Sequence, residues 1–356
     1  MKKLIHEYRF LIIGLLIPYI FIISSIFIKV NKDLTAPATI TAVSNSIHIG
    51  DNDKYGVNTV SVYSYEKINL LSYLFGLANP YASIEDTYEY SITDSKTVYG
   101  SGKIQKDVSV YNSIIAGYRQ AGYSQIINEN SFKGYIIHVI TTMTPDELKI
   151  GDIIIAFNGV RFTEAKTYNE FAYECSKLTY DENAKYSITV IRNNEEQKLE
   201  IKPSRYEKAG KTYLTFGINT YCYMVPSHNL GKDCPDYNIS SANSLGPSGG
   251  LMQSLYVYEA LTNFRLTRGK KIVGTGTVDA FGKAGPIGGI YQKVITANKS
   301  GADIFFVPVT SLDESIYSQE DNYKEALSSY QNLGKTKMKL VPVSSLEDII
   351  NYLKGE

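Results

Sequence analysis

The sequence predicts an α+β multidomain protein in which a transmembrane helix precedes a small α+β module and two further folded units. Three observations predict it. Residues 10–28 are an uncharged, mostly apolar run. From Ser131 the hydrophobic pattern becomes that of closely spaced strands around one short helix. From Tyr206 onward, strand-length and helix-length patterns alternate as they do in α/β domains. On this reading residues 1–35 hold a cytoplasmic tip, the anchor and a linker, 36–128 the α+β module, 129–205 the second unit and 206–356 the third.

At about 1.5 Å per residue the apolar run spans roughly 28 Å, enough to cross a bilayer. Lys2, Lys3 and Arg9 outweigh Glu7 ahead of it, so the positive-inside bias puts that end in the cytoplasm and the rest outside, although Lys29 and Lys32 weaken the bias. A cleaved signal peptide is the rival reading, but the run is long for one and no small-x-small site directly follows it. Pro18 is tolerable inside a membrane helix.

Composition excludes several function classes. Lysine plus arginine (36) equals aspartate plus glutamate (36), so there is no basic field for nucleic acid. Four scattered histidines and three cysteines form no metal-ligand spacing, and neither metal nor cofactor is expected. Cys222 and Cys234 flank a turn-rich insert with Pro226, Gly231 and Pro235; an oxidising compartment could join them, and two free thiols are an equally open reading. Thirty tyrosines against no tryptophan carry no functional reading.

Within the first module, β-rich runs such as Val57–Tyr65 alternate with loops at Asn79-Pro80 and residues 100–102, and a helical pattern covers residues 108–121. No chemistry is visible there. The second unit reads as strand 134–140, the run Leu148-Lys149-Ile150-Gly151-Asp152-Ile153, a helix over 167–177 and strands over 185–192 and 196–202. Gly151 and Asp152 turn the chain into a buried strand, and Asn158-Gly159 supplies a positive-φ hairpin turn. The third unit reads as strand 212–218, a helix after Ser248, strand 272–279, a helix after Gly289, strand 303–307, a helix over 321–333, strand Lys339–Val343 and a helix over 346–353.

Two segments of the third unit carry chemistry. Leu245-Gly246-Pro247-Ser248-Gly249-Gly250 places a serine hydroxyl on a bent turn before a helix, where free N–H groups and the helix dipole favour negative charge. Gly285-Pro286-Ile287-Gly288-Gly289 leads into a helix with Lys293 one turn inside it. A serine hydroxyl needs a base, and lysine serves at neutral pH only when burial lowers its pKa. Ile290, Val294 and Ile295 around Lys293 are apolar and offer no carboxylate partner, so the pair suggests a Ser-Lys hydrolase.

The Leu-x-x-Gly-Asp-x-Ile-x-x-x-Asn-Gly run makes residues 131–204 resemble a PDZ domain. In that family an extended peptide adds as a strand beside the second strand, its carboxylate held by backbone amides. The resemblance implies a loop over 131–134 and peptide contacts at Gly134, Tyr135, Ile136 and Ile137, although the Gly-hydrophobic-Gly-hydrophobic form is not kept. A PDZ fold used only as spacer or gate is the alternative.

Gly-Pro-Ser-x-Gly, then residues 274–279, Gly282-Lys283, 285–293 and 301–308, resemble the Lon-type serine protease domain, an α/β proteolytic domain. With anchor and PDZ in front, the whole chain resembles the membrane-anchored PDZ-plus-Lon proteins of Gram-positive-type bacteria. The resemblance implies Ser248 as nucleophile, Lys293 as general base and an oxyanion hole of backbone amides at the turn formed with Gly246, Pro247 and Gly249. It also implies that Thr275 orients the lysine, although a threonine in a Gly/Thr-rich strand reads the same way. Gly249 stands where the family carries alanine, which removes one methyl and loosens the turn.

Gly334-Lys335-Thr336 lacks the leading glycine of a phosphate loop, Ser329 standing in its place, so no ATPase is expected. The implied activity is ATP-independent cleavage of extracytoplasmic or membrane-associated proteins and peptides by a membrane-anchored serine endopeptidase. The alternative is a non-catalytic PDZ adaptor or chaperone that keeps a Lon-like domain for assembly. A phosphate cradle at the serine turn is disfavoured because the turn has no basic partner. The resemblance also makes a homo-oligomer an expectation, with no subunit number fixed.

Overall fold

The computed structural model describes residues 8–355 except 51–55, 90, 91, 93, 179–183, 209, 241–244, 264, 265 and 310–320. Helix α1 (Arg9–Phe27) coincides with the apolar run, and Ser25 is its one buried residue among those whose side chains are described. It is long and apolar enough to cross a membrane, a test that an N-terminal signal sequence also passes. After it come β1 (Lys32–Ala42), β2 (Ile47–Ile49), β3 (Val57–Tyr65), α2 (Leu70–Ala78), β4 (Ser83–Asp86) and the long helix α3 (Ser95–Gln120). Asn69 and Asp94 accept from the N–H groups of Ser72 and Thr97, capping α2 and α3 and fixing where each begins.

Then follow β5 (Phe132–Ile140), β6 (Ile153–Phe157), β7 (Val160–Arg161), α4 (Glu170–Ser176), β8 (Tyr186–Arg192), β9 (Glu195–Ile201), β10 (Ser204–Lys208), β11 (Lys211–Thr215), β12 (Ile218–Met224) and β13 (Tyr237–Ile239). The last part contains α5 (Gly250–Thr262), β14 (Ile272–Gly274), β15 (Thr277–Val278), β16 (Ala284–Gly285), α6 (Ile290–Lys299), β17 (Ile304–Pro308), α7 (Asn322–Gln331), β18 (Lys339–Val343) and α8 (Leu346–Gly355).

The expected separate module at 36–128 is not separate. A six-stranded sheet runs β18-β17-β14-β3-β1-β4, so strands from both ends of the chain share one layer. β3 is parallel to β14 with Val57 opposite Ile272, while β1 and β4 extend the sheet antiparallel. The strand alternation decides the two cores: Ile304 and Phe306 face one side with α3, α5 and α8, whereas Phe305 and Val307 face the other with α6 and α7. The apolar runs of β14 and β17 reflect burial on both faces.

Residues 129–224 are therefore an insertion between α3 and α5 of this layered unit. Their sheet runs β12-β5-β6-β8-β9, around a core that includes Tyr135, Ile137, Ile154, Phe157, Phe171 and Ile188. Asn158 and Gly159 both adopt positive φ, 50° and 80°, as a type I′ hairpin requires. Asp152, almost fully buried, accepts from Lys149 N–H and from both Nε and an Nη of Arg192, at 2.7 and 2.6 Å. That bidentate pair locks the turn into β6.

Two boundaries move. The strand expected at 212–218 divides into β11, which pairs only with β10, and β12, which belongs to the inserted sheet, so this unit extends past residue 205. The strand expected at 272–279 breaks into β14 and β15, because Gly276 sits at φ +147° against the Leu251 side chain. Cys222 and Cys234 are free thiols, one in β12 and the other buried just before β13.

Candidate active site

Ser248 lies on the turn immediately before α5, and Lys293 lies one turn inside α6. These helices pack on opposite faces of the central sheet. They meet at the C-terminal end of β14. Gly274 favours the approach: a Cβ there would stand 2.6 Å from the Met252 sulfur, so a larger residue would force that side chain of α5 to shift.

Just past β14, Thr275 is fully buried and joins the two sides. Lys293 Nζ donates to Thr275 Oγ1 at 3.2 Å, and Thr275 Oγ1 donates to the Ser248 carbonyl oxygen at 3.1 Å. Gly276 N–H also donates to that carbonyl, at 2.9 Å, and Leu251 N–H returns a bond to the Gly276 carbonyl. Ser248 and Lys293 are thus linked through Thr275.

The Lys293 side chain is only 2 % exposed. Burial pulls its pKa down to about 7, and the Glu325 carboxylate on α7 opposes that shift by attraction. Glu325 itself accepts from Tyr291 N–H at 3.2 Å, and burial raises its own pKa. The expectation of no carboxylate partner therefore holds for the lysine's own helix, while α7 supplies one from a neighbouring element. Desolvation is the larger influence and favours the neutral amine.

The turn is held from behind by α3. Ser109 Oγ donates to the Pro247 carbonyl at 2.8 Å, and Ser113 Oγ donates to the Gly250 carbonyl at 3.0 Å. A Cβ on Gly250 would lie 2.6 Å from Ser109 Oγ, which explains the second glycine after the serine. Gly246 takes φ +84°, the left-handed conformation that bends the chain into the turn. No described carbonyl accepts from the N–H of Ser248 or Gly249, and both amides stand at a helix N-terminus. Two amides with no acceptor among the described residues, at such a place, suit a developing oxyanion.

Gly249 does not leave the looser turn expected of it. An alanine methyl there would lie 3.0 Å from Thr59 Cγ2 on β3, so threonine occupies the space. Neither Thr59 nor Ser109 is visible as a site residue in sequence, because both come from segments far from the Gly-Pro-Ser run.

A cavity of about 600 Å³ adjoins the turn at Pro247. Thr277, Asp279 and Lys283 form one wall, and Tyr168, Asn169 and Tyr221 of the inserted unit form another. A second, open groove of about 1000 Å³ reaches Leu245 and Gly246. Neither cavity is lined by Ser248 or Lys293 themselves.

The expected peptide-binding residues Gly134, Tyr135, Ile136 and Ile137 lie on β5, whose edge is already paired. β12 runs antiparallel along it, with Tyr223 opposite Gly134, Cys222 opposite Tyr135, Tyr221 opposite Ile136 and Thr220 opposite Ile137. Asn169, the N-cap of α4, donates to both the carbonyl and the hydroxyl of Thr220 at 2.9 Å. His138 stacks on Tyr221 with 3.8 Å between ring centroids. The β5 backbone beside these four residues is therefore engaged by the protein's own strand β12.

No protein-family model matches the sequence. Among curated proteins, the chain is 29% identical over 138 residues to a Lon protease of Aster yellows witches'-broom phytoplasma, covering 39% of this chain and 14% of that protein. It is 27% identical over 169 residues to a Lon protease of Desulfatibacillum aliphaticivorans and 27% identical over 173 residues to that of Metamycoplasma arthritidis, covering 48% of this chain in each case. The matches span 16% of the latter two proteins. These distant, partial similarities relate the chain to Lon proteases and support a protease-like function.

Proposed function

We propose that this protein is an ATP-independent serine endopeptidase, held at a membrane by α1, that uses Ser248 as nucleophile and Lys293 as general base. One observation carries the reading: an almost fully buried lysine amine, with its pKa drawn down to about 7, bonded through Thr275 to the backbone of a serine turn. A neutral amine there can take the serine proton as the hydroxyl attacks a carbonyl carbon. The amides of Ser248 and Gly249 would stabilise the oxyanion, and the protonated amine would return its proton to the leaving nitrogen. Water then repeats the sequence on the acyl-enzyme.

With α1 as an uncleaved anchor, the site faces exported or membrane-associated proteins. The adaptor reading loses support because the PDZ-like groove holds β12 instead of an open peptide edge. In this role the inserted unit gates, walling the cavity beside the turn with Tyr168, Asn169 and Tyr221. The deciding experiment compares hydrolysis of an unstructured protein, without nucleotide, by the purified full chain and its Ser248→Ala variant. Loss of activity by several orders of magnitude is expected, and equal activity would remove the assignment.

A further inference from the structure

We propose that α2 is a second, shallow membrane contact, seated in the headgroup layer of the bilayer beside α1; the inference rests on α1 being a membrane span. Residues 68–84 contain no charged side chain. Within them Leu74 is 39 % exposed, Phe75 68 %, Leu77 62 % and Tyr81 38 %. A contiguous apolar surface of this kind marks an interaction site. The helix cannot turn it inward. Gly76 already packs α2 onto the sheet edge so closely that a Cβ there would meet Leu34 and Ile84 at 2.8 and 2.9 Å.

Position identifies the partner. Leu70 N–H donates to the Ile28 carbonyl at 2.8 Å, Val30 N–H donates to the Ile68 carbonyl at 2.9 Å, and Lys29 bridges to Asn69. The first residue of α2 is therefore hydrogen-bonded one residue beyond the end of α1. Wherever α1 leaves the hydrocarbon, α2 sits at the lipid–water boundary, where an apolar helix face with flanking aromatics and lysines is favoured. Tyr81 carries the Lys299 ammonium 3.7 Å from its ring centroid, and the exposed Tyr63 and Tyr65 stack on each other along β3, with Tyr65 opposite Leu34.

The contact also reaches the candidate site. The segment after α2 is bonded to α6, with Tyr291 Oη donating to the Pro80 carbonyl at 3.3 Å and Gln292 Nε2 donating to Ser83 Oγ at 2.7 Å. Gln292 is the residue before Lys293. Seating α2 on lipid would hold the lysine helix at a set, low height over the membrane surface.

The absence of tryptophan makes the test direct. Single-tryptophan full-length variants Ile20→Trp, Phe75→Trp and Tyr173→Trp would be placed in vesicles of equal parts phosphatidylcholine and phosphatidylglycerol, with and without bromine on the acyl chains. Ile20→Trp reports on α1, Phe75→Trp on α2, and Tyr173→Trp on the exposed face of α4. Bromolipid should remove most of the Ile20→Trp emission and, with bromine near the headgroup, most of the Phe75→Trp emission, while leaving Tyr173→Trp unchanged. Quenching of Ile20→Trp but not Phe75→Trp overturns the α2 contact and leaves the anchor standing. The same result with blue-shifted Phe75→Trp emission also overturns it, with protein instead of lipid covering the patch. No quenching of Ile20→Trp overturns the anchor itself, and equal quenching at Tyr173→Trp overturns the claim that α2 is the element in contact.

Discussion

Replacing Lys293 by methionine should make the protein more stable while abolishing its activity, and the gain should depend on pH. Moving an amine from its ordinary 10.5 to about 7 corresponds to roughly 4–5 kcal/mol of differential free energy between its charged and neutral forms. The unfolded chain keeps the proton up to about 10.5, and the folded chain releases it above about 7. Between those values the unfolded state binds more protons, so wild-type stability rises with pH across that window and the full cost stands below it. Methionine fills a similar volume without charge, but it gives up the bond to Thr275, worth about 1 kcal/mol. The variant should therefore be more stable than wild type by roughly 3–4 kcal/mol at about pH 6, and the gap should vanish or reverse slightly near pH 10. Thermal unfolding of both full-length proteins in detergent at the two pH values measures it. A methionine variant that is less stable at both, with a gap that does not change, would mean that Lys293 is charged in the fold and held by Glu325. The amine could not then be the base.

Because the active form carries the neutral amine, kcat/KM should climb as pH passes about 7 and level off above it; Lys293→Arg should be inactive across the range, since guanidinium stays protonated. An arginine variant with substantial turnover would exclude lysine as the base. Gly249→Ala should lower stability by about 1–2 kcal/mol through overpacking against Thr59 Cγ2, and Thr59→Ala in the same chain should restore it, both read by thermal unfolding. Equal destabilisation with and without Thr59 would place the strain elsewhere. Protease added to intact cells should digest everything beyond α1, and protection until lysis would reverse the proposed orientation.

Legibility followed the range of the interactions. β18 was readable to the residue because the short apolar run within Lys339–Val343 is a local signal, and so was the Asn158-Gly159 turn, where two positive φ angles demand those residue types. Ser248 and Lys293 stood out because glycines and prolines around them announce bent backbone before a helix. The pairing of β3 with β14 was not readable, since more than two hundred positions separate Val57 from its partner Ile272 and neither strand names the other. β12 escaped for a related reason. Its Asn219-Thr220-Tyr221-Cys222 core has modest apolar character, and its place is decided by the open edge of β5 and by Asn169. The exposed apolar face of α2 reads in sequence as ordinary core, and only its exposure beside the end of α1 distinguishes it.

The insertion point gives the fold a mechanical consequence. α3 is the stem from which the inserted unit grows, and the same helix grips the serine turn through Ser109 and Ser113. Asn169 and Tyr221 of the inserted unit line the cavity at Pro247. The inserted unit is thus joined to the serine turn by the helix behind it and shares the cavity wall in front. A tethered domain on a flexible linker would move without disturbing the site. Here a shift of the inserted unit would act on α3, whose bonds set the Pro247 and Gly250 carbonyls. Breaking those bonds without replacement is costly, because it leaves polar groups at the turn unpaired.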